Sequence, residues 1–361
     1  ASMDSFPNSS DHLHEHNGSL PWFFYECTLE LNEDARRMVL FLLYLLLFMV
    51  GLAENALVVW VNWRRRHSRS GVTFCVLNVG VADLCVMLVL PFYMLEVILN
   101  RVWLWGRTLC KVTHLVFVVN MYGSTFFLAY MTVERYLSLA RPAQSWGPPE
   151  RRRRALICGS LWALALFLTL IENVHVDLLE WDEPGCYMLP SHSFAEWYTA
   201  VTLICLVFEF LIPGAIIVTF NILIARAVKA VPGVEGRRDC WIVHVYSLVF
   251  VLCWLPYHLV MFLLMLDDLS PTSFSCNLVE LLYFSYCIVE CISLFHCVAN
   301  PILYNFLSKS FRTDLINTVV RYIPREAAQA EPHDANGKPA GARRKDREAS
   351  DSTTSHSVVI S

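Results

Sequence analysis

The chain has 361 residues, of which 56% are apolar and only 17% charged, and its formal net charge is −4. Soluble domains normally carry about a quarter charged residues, so this composition argues against a soluble fold of two or three domains. We therefore expect the lipid bilayer to be the solvent for most of the chain, with membrane lipids as its surroundings and no nucleic-acid partner.

Seven apolar stretches of about 20 or more residues recur along the chain, each long enough to cross a ~30 Å hydrocarbon core as a helix. They lack the alternating pattern of barrel strands, and lipid leaves no backbone group free to bond to water. The sequence thus predicts an all-α membrane protein built as a seven-transmembrane helix bundle. The predicted spans are 38–63, 72–99, 108–139, 153–173, 195–229, 239–266 and 278–306.

Basic residues concentrate in the first, third and fifth breaks between these spans, for example at Arg64 to Arg66 and Arg151 to Arg154. Lys and Arg beside a span resist translocation, so these breaks are expected on the cytoplasmic side. The N-terminus is then outside the cell, at the plasma membrane. Two glycosylation acceptor triplets, beginning at Asn8 and Asn17, fall on this outer tail.

The chain divides into an outer tail (1–36), the bundle (37–306), a short amphipathic eighth helix (307–323) and a disordered cytoplasmic tail (324–361). The eighth helix is predicted from an apolar stripe with basic residues on its other faces, which is typical of an interfacial helix. The final segment is polar and poor in aromatic residues. It ends in a cluster of candidate phosphorylation sites: Ser350, Ser352, Thr353, Thr354, Ser355 and Ser357.

Four of the thirteen cysteines fall on the outer side, namely Cys27, Cys110, Cys186 and Cys276. In an oxidising compartment such cysteines pair. Three connectivities are possible for four cysteines, and one or two free thiols are the alternative.

Polar residues at mid-membrane depth are costly unless paired or hydrated, so each is a functional candidate. Asp83 of the second span lies at a depth similar to Asn55, Asn120, Ser124 and Asn300. These oxygen ligands could surround a small cation with waters, which makes Asp83 the candidate metal residue. A purely structural hydrogen-bond network is the alternative.

Acidic residues also mark both ends of the bundle. Glu134, Arg135 and Tyr136 end the third span on the cytoplasmic side, where the acid and the base can pair. On the outer side Glu290 lies within the seventh span, and Glu96 and Glu280 lie nearer the rim. An acidic mouth of this kind suits a cationic ligand, while a solvated helix face is the alternative, above all for Glu280.

A set of short motifs occurs in order along the spans: Gly51 to Asn55, Leu77-Asn78, Ala82-Asp83-Leu84, Cys110, Glu134-Arg135-Tyr136, Trp162, Cys186, Pro213, Cys253 to Pro256 and Asn300 to Tyr304. Taken together, these residues resemble those of the rhodopsin-like G-protein-coupled receptors from the first span to the eighth helix. The resemblance implies a disulfide between Cys110 and Cys186, and a sodium pocket formed by Asp83, Asn120, Ser124 and Asn300. It also implies activation switches at Glu134, Arg135, Tyr136, Phe250, Trp254, Pro256 and Tyr304.

With Cys27 and Cys276 on the outer side, Glu290 in the seventh span and Pro91 in the second, the chain shows a narrower resemblance to the chemokine-receptor branch, and within it to the atypical chemokine receptors. It implies a second disulfide between Cys27 and Cys276, a basic chemokine as ligand, and arrestin and receptor kinases as cytoplasmic partners. The candidate ligand-binding residues are Glu290, Tyr93, Glu96, Glu280, Tyr122 and His258. No cofactor is expected apart from a bound sodium ion.

One departure from the family pattern bears on signalling. The tyrosine of the fifth span that usually meets the arginine in the active state is replaced by Asn221, and Gly236 stands near the usual acid of the sixth span. We therefore expect a scavenging receptor that internalises ligand and cycles through endosomes, with little or no G-protein coupling. The alternative is an ordinary signalling receptor for a peptide or chemokine. A retinal pigment is disfavoured because 278–306 contains no lysine, and an intramembrane enzyme because no catalytic motif is present.

Overall fold

The computed structural model describes residues 29–64, 71–140, 148–180, 182–191, 193–229, 234–270, 273–303, 313 and 315–317. Within these ranges, seven helical stretches are long and apolar enough to cross a membrane, which confirms the predicted seven-helix bundle. We refer to them as the first to seventh spans. They are Glu33–Arg64, Thr73–Ile98, Gly106–Leu137, Arg152–Asn173, Phe194–Val228, Ser247–Leu269 and Cys276–Pro301.

The helices that form the spans begin and end as follows. They are α1 (Glu33–Arg64), α2 (Gly71–Ile98), α3 (Gly106–Ala140), α4 (Pro148–Asn173), α5 (Phe194–Cys205), α6 (Ile212–Lys229), α7 (Val234–Leu269), α8 (Cys276–Leu294) and α9 (His296–Pro301). The first helix begins within the segment predicted as tail, because Glu33 and Asp34 supply negative charge to its first turn, where the helix dipole favours it. Of the predicted eighth helix, residues 313 and 315–317 are described, and they are helical.

Two features of the structure were not predicted. The fifth span is interrupted by a π-helical segment, Leu206–Leu211, which joins α5 to α6. Between the fourth and fifth spans the chain forms an antiparallel hairpin of β1 (Val176–Glu180) and β2 (Pro184–Met188), in which Leu178 faces Cys186. The fold therefore contains a short β-sheet besides its helices.

Many large apolar side chains are exposed on the outside of the bundle, including Met49 at 60%, Leu88 at 62% and Phe167 at 60%. A soluble protein rarely exposes so much apolar surface, whereas lipid favours it. The polar side chains of the spans turn inward, so the interior of the bundle is where functional groups are to be found.

The hairpin is fastened to the bundle at one end. Cys186 of β2 forms a disulfide with Cys110 of α3, with Cα atoms 5.7 Å apart. The Trp103 backbone N–H donates to the carbonyl of Pro184 at 2.7 Å, and the Trp103 indole donates to the carbonyl of Gly106 at 3.0 Å. Gly106 has φ +76°, a left-handed conformation that glycine adopts without strain. We call this end of the bundle the disulfide end.

Candidate functional site

A buried polar network lies at the centre of the bundle, around Asp83. Its Oδ1 accepts hydrogen bonds from Asn120 Nδ2 at 2.8 Å and from Ser124 Oγ at 3.0 Å. Its Oδ2 lies 3.4 Å from Asn300 Nδ2. Asp83 and Asn120 are fully buried, so a carboxylate without such donors would be very costly here. The structure thus brings together all four residues of the predicted sodium pocket.

The surroundings of Asp83 fit a small cation with bound water. A small cavity adjoins the carboxylate and is also lined by Asn55 and Asn300. Asn55 Oδ1 is buried and has no hydrogen-bond partner among the described residues. The oxygens of Asp83, Asn120 and Ser124 are hard ligands of the kind that such ions prefer. These residues would hold a sodium ion, which stays a prediction.

Softer groups also lie close to the same carboxylate. The Cys297 thiol lies 3.5 Å from Asp83 Oδ1, and His296 Nε2 lies 3.8 Å from the same oxygen. The imidazole ring of His296 also packs on the Trp254 ring, with centroids 4.9 Å apart. The polar network therefore contacts the tryptophan that was predicted to act as an activation switch.

Asn55 joins the first span to the seventh. Its Nδ2 donates to the carbonyl of Gly51 at 2.9 Å and to the carbonyl of Cys297 at 2.8 Å. Residue 301, four positions after Cys297, is proline and has no N–H to donate. Asn55 thus supplies the hydrogen bond that Pro301 cannot make.

The end opposite the disulfide holds a buried ion pair. Glu134 Oε2 is 2.9 Å from Arg154 Nη2 of the fourth span, and the Tyr130 hydroxyl donates to Glu134 Oε1 at 2.6 Å. The acid was predicted to pair with its neighbour Arg135, and the structure gives it a basic partner from another helix. Tyr136 packs edge-on against Phe220, with ring centroids 5.5 Å apart.

Asn221 lies at the same end and links the fifth and sixth spans. Its side chain is buried and donates from Nδ2 to Ser247 Oγ at 2.5 Å. Nearer the middle of the sixth span, Phe250 and Trp254 are one helical turn apart and their ring centroids lie 6.2 Å apart. Pro256 follows two residues later, inside the same helix. The residue that departs from the family pattern is therefore part of an interhelical contact.

Sequence comparison shows what kind of protein carries this arrangement. Residues 54–304 match the family model described as 7 transmembrane receptor (rhodopsin family). This chain is a rhodopsin-family receptor. It is 43% identical to rat G-protein coupled receptor 182 over 93% of this chain and 82% of that relative. It is 32% identical to rat atypical chemokine receptor 3 over 82% of this chain and 83% of that relative.

A further relative is Xenopus laevis C-X-C chemokine receptor type 4-A, to which the chain is 28% identical over 83% of this chain and 84% of that relative. These similarities confirm the predicted resemblance to the chemokine-receptor branch and, within it, to the atypical chemokine receptors. The chain is a multi-pass receptor of the plasma membrane and not an enzyme.

The receptor's predicted ligand-binding acids all lie towards the disulfide end of its bundle. Glu290 and Glu96 are half-buried, while Glu280 is exposed, as expected for a solvated helix face. Arg101, which the sequence analysis passed over, has φ 68° and its Nη2 lies 2.9 Å from Cys287 Sγ. Its charge acts on both Glu96 and Glu290. The acidic mouth therefore contains a basic group of its own.

Two further basic residues form ion pairs with the hairpin of the receptor. Asp177 binds Arg107 Nε at 2.9 Å and Lys111 Nζ at 3.3 Å. A hydrogen bond from the Leu178 backbone N–H lowers the pKa of Asp177, and the two basic groups lower it further. Asp177 thus stays ionised at neutral pH and is partly neutralised by these neighbours.

The three uncharged candidates for ligand binding differ in exposure. Tyr93 is half-buried and packs against Phe117, with ring centroids 5.3 Å apart. Tyr122 is fully buried and donates its hydroxyl hydrogen bond to Glu172, while His258 is only 2% exposed. These two residues lie too deep to make the first contact with a ligand.

Two buried acids near these side chains escaped the sequence analysis. Glu172 of the fourth span and Glu209 of the π-helical segment are 7% and 3% exposed. The signal was present, because an acid within an apolar span is itself a functional candidate.

Several predictions concern residues outside the described ranges. Cys276 is disulfide-bonded, but Cys27, its predicted partner, is one of these residues. The others are Asn8, Asn17, Tyr304 and the six tail hydroxyls from Ser350 to Ser357.

Proposed function

We propose that this receptor is an atypical chemokine receptor, which binds basic protein ligands and carries them into the cell with little G-protein activation. The observation that carries the proposal is Asn221, which replaces a long aromatic phenol with a short amide and bonds to Ser247 of the sixth span. An amide held in this way cannot extend to Arg135 as a tyrosine does. The active cleft for a G protein is then poorly stabilised, while the ligand pocket is unaffected.

The orientation that we propose places the disulfide end outside the cell. The opposite end contains the basic run that includes Arg154, and the positive-inside rule assigns such residues to the cytoplasm. A basic ligand would approach the acidic outer tail by long-range attraction and place its end near Glu290. The name of the relative atypical chemokine receptor 3 supports a chemokine as the ligand class.

On the cytoplasmic side, arrestin and receptor kinases are the proposed partners. The hydroxyl cluster from Ser350 to Ser357 lies next to Glu348 and Asp351, and phosphorylation there would create dense negative charge. Such a tail attracts basic partner surfaces and can direct a receptor into endosomes without a G protein. Glycosylation of Asn8 and Asn17 and a sodium ion at Asp83 belong to the same proposal.

The central experiment measures G-protein activation and uptake of a labelled basic chemokine in the same cells. We expect uptake with little nucleotide exchange for the native chain, and a gain of exchange in Asn221→Tyr. Ser247→Ala is the matched control, because it removes the interhelical bond without supplying a phenol. Strong ligand-driven exchange by the native chain would instead favour an ordinary signalling receptor.

The ligand pocket is tested by Glu290→Gln, which keeps the shape of the side chain and removes its negative charge. Loss of a charged contact in a partly buried site typically costs about 2 kcal/mol, or a roughly 30-fold weaker Kd. Glu280→Gln is the control, since that side chain is exposed and we expect less than a threefold change. Equal binding by the native chain and Glu290→Gln would exclude Glu290 from the pocket.

A further inference from the structure

A cluster of buried ligand atoms lies between the fourth, fifth and sixth spans, apart from the Asp83 network. It contains the carboxylates of Glu172 and Glu209 and the thiol of Cys205, whose ligand atoms all lie within 4.8 Å of one another. Cys205 Sγ is 3.2 Å from Glu172 Oε1. The three residues are 3–7% exposed, so the cluster is closed to bulk solvent.

A histidine lies beside the cluster, on the side of the sixth span. His258 Nε2 lies 3.8 Å from Glu209 Oε2. This nitrogen is buried and has no hydrogen-bond partner in the described part of the chain. A buried ring nitrogen that faces a carboxylate oxygen without bonding to it is a ligand atom with an unused lone pair or proton.

The repulsion between the two acids can be relieved by a bound cation or by protonation. Two carboxylates at this spacing repel each other strongly in a low-dielectric interior. Among the described residues, no lysine or arginine forms an ion pair with Glu172 or Glu209. The Tyr122 hydroxyl donates to Glu172, which satisfies one oxygen but supplies no charge.

The donor set identifies the class of cation. One imidazole nitrogen, one sulfur and two carboxylate oxygens form a mixed N, S and O set that suits zinc, whereas sodium, calcium and magnesium prefer oxygen alone. We propose that Glu172, Cys205, Glu209 and His258 form a zinc site inside the bundle. On binding, the Cys205 thiol releases its proton to solvent and the sulfur coordinates the ion as a thiolate.

The consequence of binding is mechanical. The four ligands come from three spans, and Glu209 belongs to the π-helical segment, so the ion would link the fourth, fifth and sixth spans below the acidic mouth. Zinc would then stabilise one arrangement of these helices, because an ion that binds the folded state shifts the unfolding equilibrium towards it.

The test uses the purified full-length receptor in lipid nanodiscs, first treated with a chelator and then titrated with zinc chloride. Thermal unfolding is followed by tryptophan fluorescence at neutral pH. We expect micromolar zinc to raise the unfolding midpoint by at least about 3 °C. Cys205→Ser and Glu209→Gln should lose most of that shift. Cys297→Ser is the matched control, because it alters the softer group near Asp83, and it should retain the shift.

A second measurement does not depend on the variants folding. X-ray absorption of the zinc-loaded native receptor should show one sulfur neighbour at about 2.3 Å with nitrogen and oxygen neighbours at about 2.0–2.2 Å. Zinc bound without a sulfur neighbour would overturn the assignment. The assignment would also be wrong if zinc left the unfolding midpoint unchanged, or if Cys205→Ser and Glu209→Gln both retained the zinc-induced shift. In either case the cluster is a network of neutral acids.

Discussion

The bond between Asn55 and the Cys297 carbonyl gives a quantitative prediction. Asn55→Leu keeps the side-chain volume nearly constant and removes the amide. The Cys297 carbonyl then loses its donor at 2.8 Å, and Pro301 cannot replace it. A buried carbonyl left without a partner costs about 1–3 kcal/mol.

The amide of Asn55 also donates to the Gly51 carbonyl, but that carbonyl keeps its helical donor in the variant. We therefore attribute the loss of stability to the Cys297 carbonyl alone. The apparent unfolding midpoint at a fixed heating rate should fall by roughly 3–8 °C. Thr132→Val is the control. It also removes a buried hydrogen bond, at 2.9 Å, but the acceptor is the Leu128 carbonyl of the same helix, which has a helical donor.

The assay is differential scanning fluorimetry of both variants and the native receptor in the same detergent, with far-UV circular dichroism to confirm equal helix content. Thr132→Val should change the unfolding midpoint by less than about 1 °C, because every backbone carbonyl keeps a hydrogen-bond donor. If Asn55→Leu were as stable as Thr132→Val, the proposed role of Asn55 would be wrong.

Three further predictions concern other polar contacts of the receptor. Arg154→Met should lower the free energy of unfolding by about 3 kcal/mol, because it leaves the Glu134 carboxylate buried without its cation. In the same unfolding assay, the double variant with Glu134→Gln should regain most of that loss. Trp162→Phe removes the indole hydrogen bond at 2.9 Å between the fourth and second spans, and should cost about 1 kcal/mol. Asp177 has a lowered pKa, so its contribution to stability is complete above the ordinary aspartate pKa and is lost as the pH falls through its folded value. Asp177→Asn and the native receptor should therefore show parallel stability profiles between pH 6 and 8, and a difference that varies with pH in that window would contradict this assignment.

The seven spans could be predicted because length and hydropathy alone decide whether a helix crosses the bilayer. The Asp83 network could be predicted for a related reason. A carboxylate at mid-membrane depth needs polar partners, and Asn120, Ser124 and Asn300 were the polar residues at that depth.

Contacts between spans were harder to predict. Nothing in the sequence places Arg154 beside Glu134, since the choice depends on how the third and fourth spans rotate about their own axes. The hairpin was missed because its strands are only five residues each, too short for an alternating pattern to stand out. Glu172 and Glu209 were visible as acids in apolar helices, but their convergence on Cys205 depends on the π-helical segment, which local sequence does not reveal.

The π-helical segment also divides the fifth span into two rotational registers. An α-helix turns by about 100° per residue. One extra residue in a turn therefore rotates the side chains that precede it by roughly that angle, relative to those that follow. The face that α5 presents to the disulfide end is therefore set independently of the face that α6 presents at Asn221. Deleting a single residue between Leu206 and Leu211 would rephase α5 against the rest of the bundle while leaving every side chain of α6 in place.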